Sequence, residues 1–227
     1  MREMDQTAFW SLIGETKREF GQNMGASLQH LTERLTALGL QQAMDFQDIL
    51  RGYRTLANQY GLWCAAAVMR PDADEDEYFH SFRNWLIAQG QDVYLAALKN
   101  PDSLAEVEPY GYCEFEELDN AASSAVVKLT GRYTEPSESS PANAELLLEL
   151  KRDIVYGEGI GYPYEWEEMA EYLPRLCGKY LTAEELAHKI KTEAAWNPDH
   201  PEIQALRAAG RRDAGVHTAE MNMGGGM

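Results

Sequence analysis

The chain has 227 residues, a formal net charge of −17 and 44% hydrophobic residues. This composition is typical of a folded protein of one or two domains and excludes wholesale disorder. The excess of acids disfavours binding to nucleic acids or anionic membranes, because their phosphates would be repelled. Residues 61–120 alone hold 13 acidic against 3 basic residues. Charge concentrated in this way is typical of a surface that attracts a partner.

The sequence also indicates a compartment. The longest apolar run, Leu62–Met69, is too short to span a membrane, and the N-terminus lacks the apolar segment of a secretory signal. Cys64, Cys113 and Cys177 are widely separated and form no C-x-x-C pair. We expect each to be a buried thiol in a reducing environment, and we expect the protein to be cytoplasmic.

Apolar residues recur at helical spacing along almost the whole chain. Thr7 is the expected cap of the first helix, and Gly39 is the expected stop of the second. A single long helix is predicted from about Gln42 to Met69. Gly52 and Gly61 are its weak points, because glycine is a poor helix former.

The second half of the chain continues this pattern with more interruptions. The acidic segment 72–77 precedes a helix that ends near Gly90, and another amphipathic stretch covers residues 115–129. Residues 134–164 are rich in Pro, Ser and Gly and predict an irregular excursion. Within it a helix is expected to resume near Ala144.

These elements predict an all-α fold, because no segment alternates at the period of a strand over more than a few residues. We expect a single compact multi-helix domain over residues 1–196, with an extended loop containing Pro, Ser and Gly. Extra C-terminal helices are expected after Tyr180. Residues 197–227 are expected to form a short helix and a flexible tail.

Asp72, Asp74 and Asp76 follow the spacing that opens a calcium-binding loop. That loop also requires Gly at its sixth position and Glu at its twelfth. Counted from Asp72, these positions hold Glu77 and Arg83. The acids therefore indicate a solvated helix start or a contact surface, and they do not predict a calcium site.

Other searches for a catalytic constellation find none. The glycines of YGEGIG lack the Lys-Ser/Thr ending of a phosphate loop, and no H-E-x-x-H or G-x-S-x-G sequence occurs. Paired glutamates occur without the Glu-x-x-His of di-metal bundles. We therefore predict no metal, no cofactor and no catalytic residue. An enzyme is disfavoured but stays open, since catalytic groups can converge from distant segments.

Several stretches together resemble a known family. The most specific is Phe82–Gly90 (FRNWLIAQG), supported by Phe9–Ile13 (FWSLI), Cys113–Leu118 and Trp166–Tyr180. They are similar to a bacterial family described only as a domain of unknown function. The resemblance covers about Phe9–Tyr180 and implies a single helical domain. It brings no established activity, so it assigns no catalytic residue.

The first functional hypothesis is an acidic protein-binding protein, with an immunity or antitoxin-type inhibitor as the best candidate. It would block the basic cleft of a bacterial toxin, such as a nuclease or a nucleotide-using transferase of the ADP-ribosyltransferase type. Opposite charges would accelerate such an association. The predicted partner-binding residues are Asp72, Asp74, Glu75, Asp76, Glu77, Tyr162, Tyr164, Glu165, Trp166 and Glu168.

Two alternatives stay open. The chain could be an enzyme or a small-molecule-binding regulator with a pocket near His80, Trp85 and Gln89. A buried Gln89 would need hydrogen-bond partners, and Gly90 would permit a left-handed helix end. The chain could also be an acidic scaffold subunit of a constitutive complex. The sequence does not determine the oligomeric state.

Overall fold

The computed structural model describes residues 2–71, 75–109, 111–132 and 142–196. Within these ranges every regular element is a helix, and no strand is present. The prediction of an all-α fold is therefore confirmed. None of the described helices is both long and apolar enough to cross a membrane.

The helices follow the chain without long gaps between them. The α-helices are α1 (Gln6–Phe20), α2 (Met24–Leu38), α3 (Leu40–Leu56), α4 (Tyr60–Met69), α5 (Glu75–Ala88), α6 (Gln91–Lys99), α7 (Asn120–Thr130), α8 (Ala142–Leu150), α9 (Trp166–Tyr172), α10 (Pro174–Tyr180) and α11 (Ala183–Trp196). Short 3-10 helices cover Pro101–Glu106, Gly111–Cys113, Glu116–Asp119 and Lys151–Asp153.

Contacts between residues group the chain into two compact units, each assembled from segments that are separated in the sequence. Unit 1 contains Met1–Ala57, His80–Tyr94 and Tyr110–Ile154. Unit 2 contains Asn58–Phe79, Leu95–Pro109 and Val155–Met227. The chain passes from one unit to the other within α5 and within α6. The prediction of a single domain over residues 1–196 stays a prediction.

The start of α1 differs from the sequence expectation. Asp5 is the cap, because its carboxylate accepts a hydrogen bond from the backbone N–H of Ala8 at 2.8 Å. Thr7, the predicted cap, lies inside the first turn. Both residue types are good caps, so sequence preference alone did not separate two candidates that are two positions apart.

Aromatic side chains of α1 and α3 form the core of unit 1. The rings of Phe9 and Phe46 lie 4.9 Å apart, and those of Trp10 and Tyr53 lie 4.6 Å apart. Tyr94 completes the cluster, and its hydroxyl donates to the backbone oxygen of Tyr53 at 2.6 Å. All five residues are at most 5% exposed. Burial of this aromatic surface fixes α1 and α3 against the start of α6.

The long helix expected before Met69 is two helices, α3 and α4. The break precedes Gly61, whose N–H donates to the backbone oxygen of Ile160 at 2.6 Å. A Cβ on Gly61 would lie 3.2 Å from the Ile160 Cα, so the glycine permits this approach. Gly52, the other predicted weak point, stays helical. A Cβ there would lie 2.6 Å from the Leu150 side chain of α8, so this glycine serves helix packing.

Unit 2 packs α10 against α4, α9 and the 3-10 helix Pro101–Glu106, while α11 packs against α9. The buried carboxylate of Asp102 accepts hydrogen bonds from the backbone N–H groups of Arg175 and Leu176 at 3.1 and 2.9 Å. Asp102 therefore satisfies amides in the first turn of α10, which have no acceptor within the helix.

Two further local predictions are confirmed. All three cysteines are free and buried, as expected for small hydrophobic side chains. The helix expected to resume near Ala144 is α8, which begins at Ala142. Residues 133–141 and the predicted C-terminal tail, 197–227, lie outside the described residues.

Candidate functional site

The acidic contact surface predicted from the sequence begins outside the residues that the structure describes. Asp72 and Asp74 lie outside the described residues. The first turn of α5 is formed by Glu75, Asp76 and Glu77, whose side chains the structure does not describe. The prediction that these acids contact a partner stays a prediction.

The second predicted contact, the segment before and within α9, lies largely inside unit 2. Tyr164 and Trp166 are only 7% and 6% exposed. Glu165 and Glu168 form the capping box that starts α9. The Tyr162 hydroxyl pairs with Glu168 Oε1 at 3.4 Å. The aromatic residues predicted as anchors thus pack within their own unit, while Tyr162, Glu165 and Glu168 retain partial exposure.

The pocket considered near His80, Trp85 and Gln89 is divided between two places in unit 1. His80 lies on α5 and Gln89 directly follows its last residue, Ala88. Nine residues of helix separate two positions by about 13 Å along the axis and about 180° around it. Trp85 is fully buried between them. His80 belongs to a polar network, and Gln89 lines a cleft. His80 and Trp85 do not line the cleft that contains Gln89, and a pocket shared by all three residues stays a prediction.

The polar network is centred on Asp119, and we call it the Asp119 network. The carboxylate Oδ2 pairs with His80 Nε2 at 2.9 Å and accepts from Asn84 Nδ2 at 3.1 Å. Its Oδ1 accepts from Arg54, whose guanidinium also donates to Asn84 Oδ1 at 3.3 Å. Both oxygens of the carboxylate are therefore satisfied by donors from α3 and α5.

The electrostatics of the Asp119 network favour the ionised carboxylate. Burial alone would raise the pKa of Asp119, but the His80 hydrogen bond, the Arg54 charge and the Asn84 hydrogen bond lower it to about 2. Burial, together with the Arg54 charge, lowers the pKa of Arg83 to about 10. Asp119 and Arg83 are therefore charged at neutral pH.

The second place is a cleft of about 720 Å³ on unit 1. Trp10, Ser11 and Lys17 of α1 line one side, and Gln89 and Gly90 at the end of α5 line another. The first turn of α6 and Asp153 also contribute to the lining. This volume lies within the range of small-molecule sites. We refer to it as the Gln89 cleft.

Lys17 is fixed in the Gln89 cleft by Gln89. Its Nζ donates to the backbone oxygen of Gln89 at 2.8 Å and to Oε1 at 3.0 Å. The Gln89 amide nitrogen donates in turn to the backbone oxygen of Trp85 at 3.0 Å, so the side chain has the hydrogen bonds predicted for it. Burial lowers the pKa of Lys17, which means that this ammonium is short of compensating negative charge.

Further hydrogen-bond donors belong to the same cleft. The buried Trp10 indole hydrogen-bonds the neighbouring Tyr53 hydroxyl, which donates in turn to Gln6 Oε1 at 3.2 Å. Gly90, with φ of +95°, precedes α6 and has no side chain to cap it. The first amides of a helix have no acceptor within it. The cleft thus combines the Lys17 ammonium with the first amides of α6, an arrangement suited to an anionic group.

A family model described as a protein of unknown function, DUF4240, matches residues 4–127. The chain belongs to this family. The matched region includes Phe9–Ile13 and Phe82–Gly90, which carried the resemblance in the sequence, and ends before Trp166–Tyr180. It contains the whole Asp119 network and both Lys17 and Gln89. No curated protein and no solved structure matches the chain.

Sequence reasoning missed Lys17 and Asp119. Both partners lie far along the chain, since Lys17 and Gln89 are 72 residues apart and His80 and Asp119 are 39 residues apart. The only usable sign was the prediction that a buried Gln89 needs a partner. It specifies the need for a donor or acceptor and does not identify which residue provides it.

Proposed function

We propose that the protein binds, in the Gln89 cleft, a small molecule that carries an anionic group. The observation that supports this most directly is the half-buried Lys17 ammonium held on the cleft wall by Gln89. An ammonium has three N–H donors, and Gln89 accepts from two of them. The third has no acceptor in the part of the chain that the structure describes, and an anion beside it would offset the cost of burying the charge.

The charges around the cleft narrow the ligand class. Arg18 lies beside Lys17 in the lining, whereas Asp92 and Asp153 contribute two carboxylates. The cleft therefore favours a compact ligand with one anionic group, and a ligand that also carries a cationic group fits its mixed charge. A strongly polyanionic ligand is disfavoured by the two aspartates.

A thermal-shift screen with three proteins tests this proposal. Wild type, Lys17→Met and Lys128→Met are compared against small carboxylates, amino acids and phosphate esters. Lys128 is an exposed residue of α7 and provides the matched control. A ligand at about 100 times its Kd stabilises the folded protein by about 2.7 kcal/mol. We expect the same anions to raise the Tm of wild type and Lys128→Met, with no shift in Lys17→Met.

Two results would contradict the proposal. Equal stabilisation of Lys17→Met would place anion binding elsewhere on the protein. Absence of a shift in wild type across all three classes of compound, confirmed by unchanged amide NMR signals of the first turn of α6, would show that the cleft binds none of them.

The charge pattern supports a second candidate, the inhibitor of a basic protein. Residues 61–120 carry 13 acids and 3 bases, and such a field would attract a cationic toxin cleft and speed association. This candidate uses the acidic segment 72–77 as the contact, with Tyr162, Glu165 and Glu168 as an additional partly exposed surface. Nucleic acid would be repelled by the same field.

Purification from the native host at low and high salt tests the second candidate. A single basic protein that is toxic when expressed alone, and that is lost as salt rises, is the expected partner. Reversing Asp72, Asp74 and Asp76 to lysine should slow its association. Reversing the exposed Glu108, Glu116 and Glu117 makes the same change in net charge and is the control. Equal slowing by both sets would remove the acidic segment as the specific contact.

A further inference from the structure

Three metal-ligating side chains meet on neighbouring helices of unit 1. Glu15 and Glu19 are one turn apart on α1, which places their carboxylates on the same face of the helix. His30 comes from α2, which packs against α1. The potential ligand atoms of the three residues all lie within 4.8 Å of one another. Lys17, two positions from each glutamate, projects from the opposite side of α1.

The imidazole of His30 provides an independent reason to expect a ligand. Its Nε2 atom is buried and has no hydrogen-bond partner. Glu15 Oε1 is 3.9 Å away, which is too far for a hydrogen bond. The ring of Phe20 packs 4.9 Å from the imidazole and restrains its orientation. A buried ring nitrogen is normally satisfied, so its isolation beside two carboxylates is unusual.

We propose that Glu15, Glu19 and His30 bind one divalent transition-metal ion, with Zn²⁺ or Mn²⁺ as the class. Two carboxylates and one imidazole are a donor set that both ions accept, and three protein ligands leave a position for water. Metal–ligand bonds of about 2.1 Å require the donor atoms to move somewhat closer together. Glu19 is exposed and Glu15 is half-buried, so both side chains are free to make that adjustment.

Arg34 competes with the metal. Its Nη1 lies 3.3 Å from Glu15 Oε1 and partly neutralises the carboxylate. The Arg34 side chain is 47% exposed, so water can replace Glu15 as its partner when a metal ion binds. The spacing of the three ligands along the chain matches no short metal motif, because they come from two helices. This explains why the sequence predicted no metal site.

Metal titration of the chelator-treated full chain tests the proposal. Zn²⁺ binding is measured by calorimetry, and Mn²⁺ binding is measured by electron paramagnetic resonance. Glu19→Gln should weaken one site by at least ~10-fold. Glu33→Gln, an exposed change on α2 outside the cluster, is the matched control and should leave affinity unchanged. Arg34→Gln should increase affinity, because it removes the competing cation.

A structural readout separates this site from metal binding elsewhere on an acidic chain. Long-range ¹H–¹⁵N NMR spectra should show Zn²⁺ shifting the Nε2 signal of His30 in wild type, and not in a Glu15→Gln, Glu19→Gln double variant. Circular dichroism establishes that the variants are folded. Equal Zn²⁺ affinity of wild type and Glu19→Gln, or an unshifted His30 signal at saturating Zn²⁺, would overturn the proposal.

Discussion

The Asp119 network and the Gln89 cleft both use helix α5, yet they differ in how completely their polar groups are satisfied. Each oxygen of Asp119 has a donor, and the partner charges lower its pKa to about 2. In the cleft, Lys17 donates to two neutral oxygens of Gln89 and to no carboxylate among the described residues, and burial lowers its pKa. The fold therefore favours the charge of Asp119 and disfavours the charge of Lys17.

This difference separates a role in stability from a role in binding. A satisfied network gains nothing from a ligand, and it is disrupted when one member is removed. A partly buried cation that has too few acceptors and borders a cleft is stabilised when an anion binds in that cleft. Histidine is a common catalytic residue. We nevertheless infer that the Asp119 network, which contains His80, holds α3 and α5 to the segment before α7.

The largest expected effect is the loss of stability in Asp119→Ala. The substitution removes the carboxylate that accepts from Arg54 and from the buried Asn84, and it leaves Arg54 with Asn84 Oδ1 as its acceptor. Asp119 retains 27% exposure, so we expect a cost of about 2–3 kcal/mol, below that of a fully buried pair. Urea unfolding measures it. Asp92→Ala, an exposed change in the cleft, should cost about 0.5 kcal/mol. Equal losses of unfolding free energy in the two variants would contradict a stabilising role that is specific to the Asp119 network.

The pH dependence of stability tests the same distinction without removing a side chain. Because the pKa of Asp119 falls from its ordinary 3.8 to about 2 on folding, its contribution is present above pH 3.8. That contribution, at most about 2 kcal/mol, is lost as pH falls through about 2. Unfolding free energies measured between pH 5 and pH 2 should fall more steeply for wild type than for Asp119→Asn. Parallel curves would contradict the lowered pKa.

Gly90→Ala should cost about 1–2 kcal/mol, because φ of +95° is strained for a residue with a Cβ. No atom would clash with the new Cβ, so the cost is in the backbone alone. Gly178→Ala is the matched control, since Gly178 is exposed within α10. This substitution should stabilise the protein, because alanine is favoured over glycine inside a helix. Thermal unfolding of both variants gives the signs. Stabilisation by Gly90→Ala would show that the cleft edge is not strained.

Much of the fold could be predicted from the sequence, because helical periodicity and glycine stops are local properties. The all-α class follows from them, and so does a helix end near Gly90, where α5 ends at Ala88. The break before α4 did not follow, since it depends on the approach of Ile160 to Gly61 from about 100 residues away. Local patterns favour one continuous helix there, and a tertiary contact overrides them.

The site could be predicted only in part, and for a related reason. Burial of Gln89 follows from its place on the apolar face of α5, and its need for a partner follows from burial. The identity of that partner depends on how α1 packs beside α5, which no local pattern contains. The grouping of His80 with Gln89 near one pocket did not use helical periodicity, by which a spacing of nine residues places two side chains on opposite faces.

The smallest expected change in stability is that of Lys17→Met, within about 0.5 kcal/mol at pH 7, because lost hydrogen bonds and relieved desolvation offset each other. Its pH dependence is more informative. A lowered pKa means that the folded state releases the Lys17 proton before the unfolded state does. Wild type should therefore gain stability relative to Lys17→Met as pH rises from 7 toward 10.5.

Stability rises with pH through the titration of Lys17, as it does through that of Asp119. At neutral pH the two charges nevertheless act in opposite ways, because the Asp119 charge stabilises the fold and the Lys17 charge destabilises it. A bound anion should restore the Lys17 pKa and abolish the rise, whereas the acid-side slope should be unaffected. Urea unfolding at pH 7 and pH 10, with and without the best anion of the screen, provides the measurement. A rise that persists with saturating anion would show that the anion does not contact Lys17.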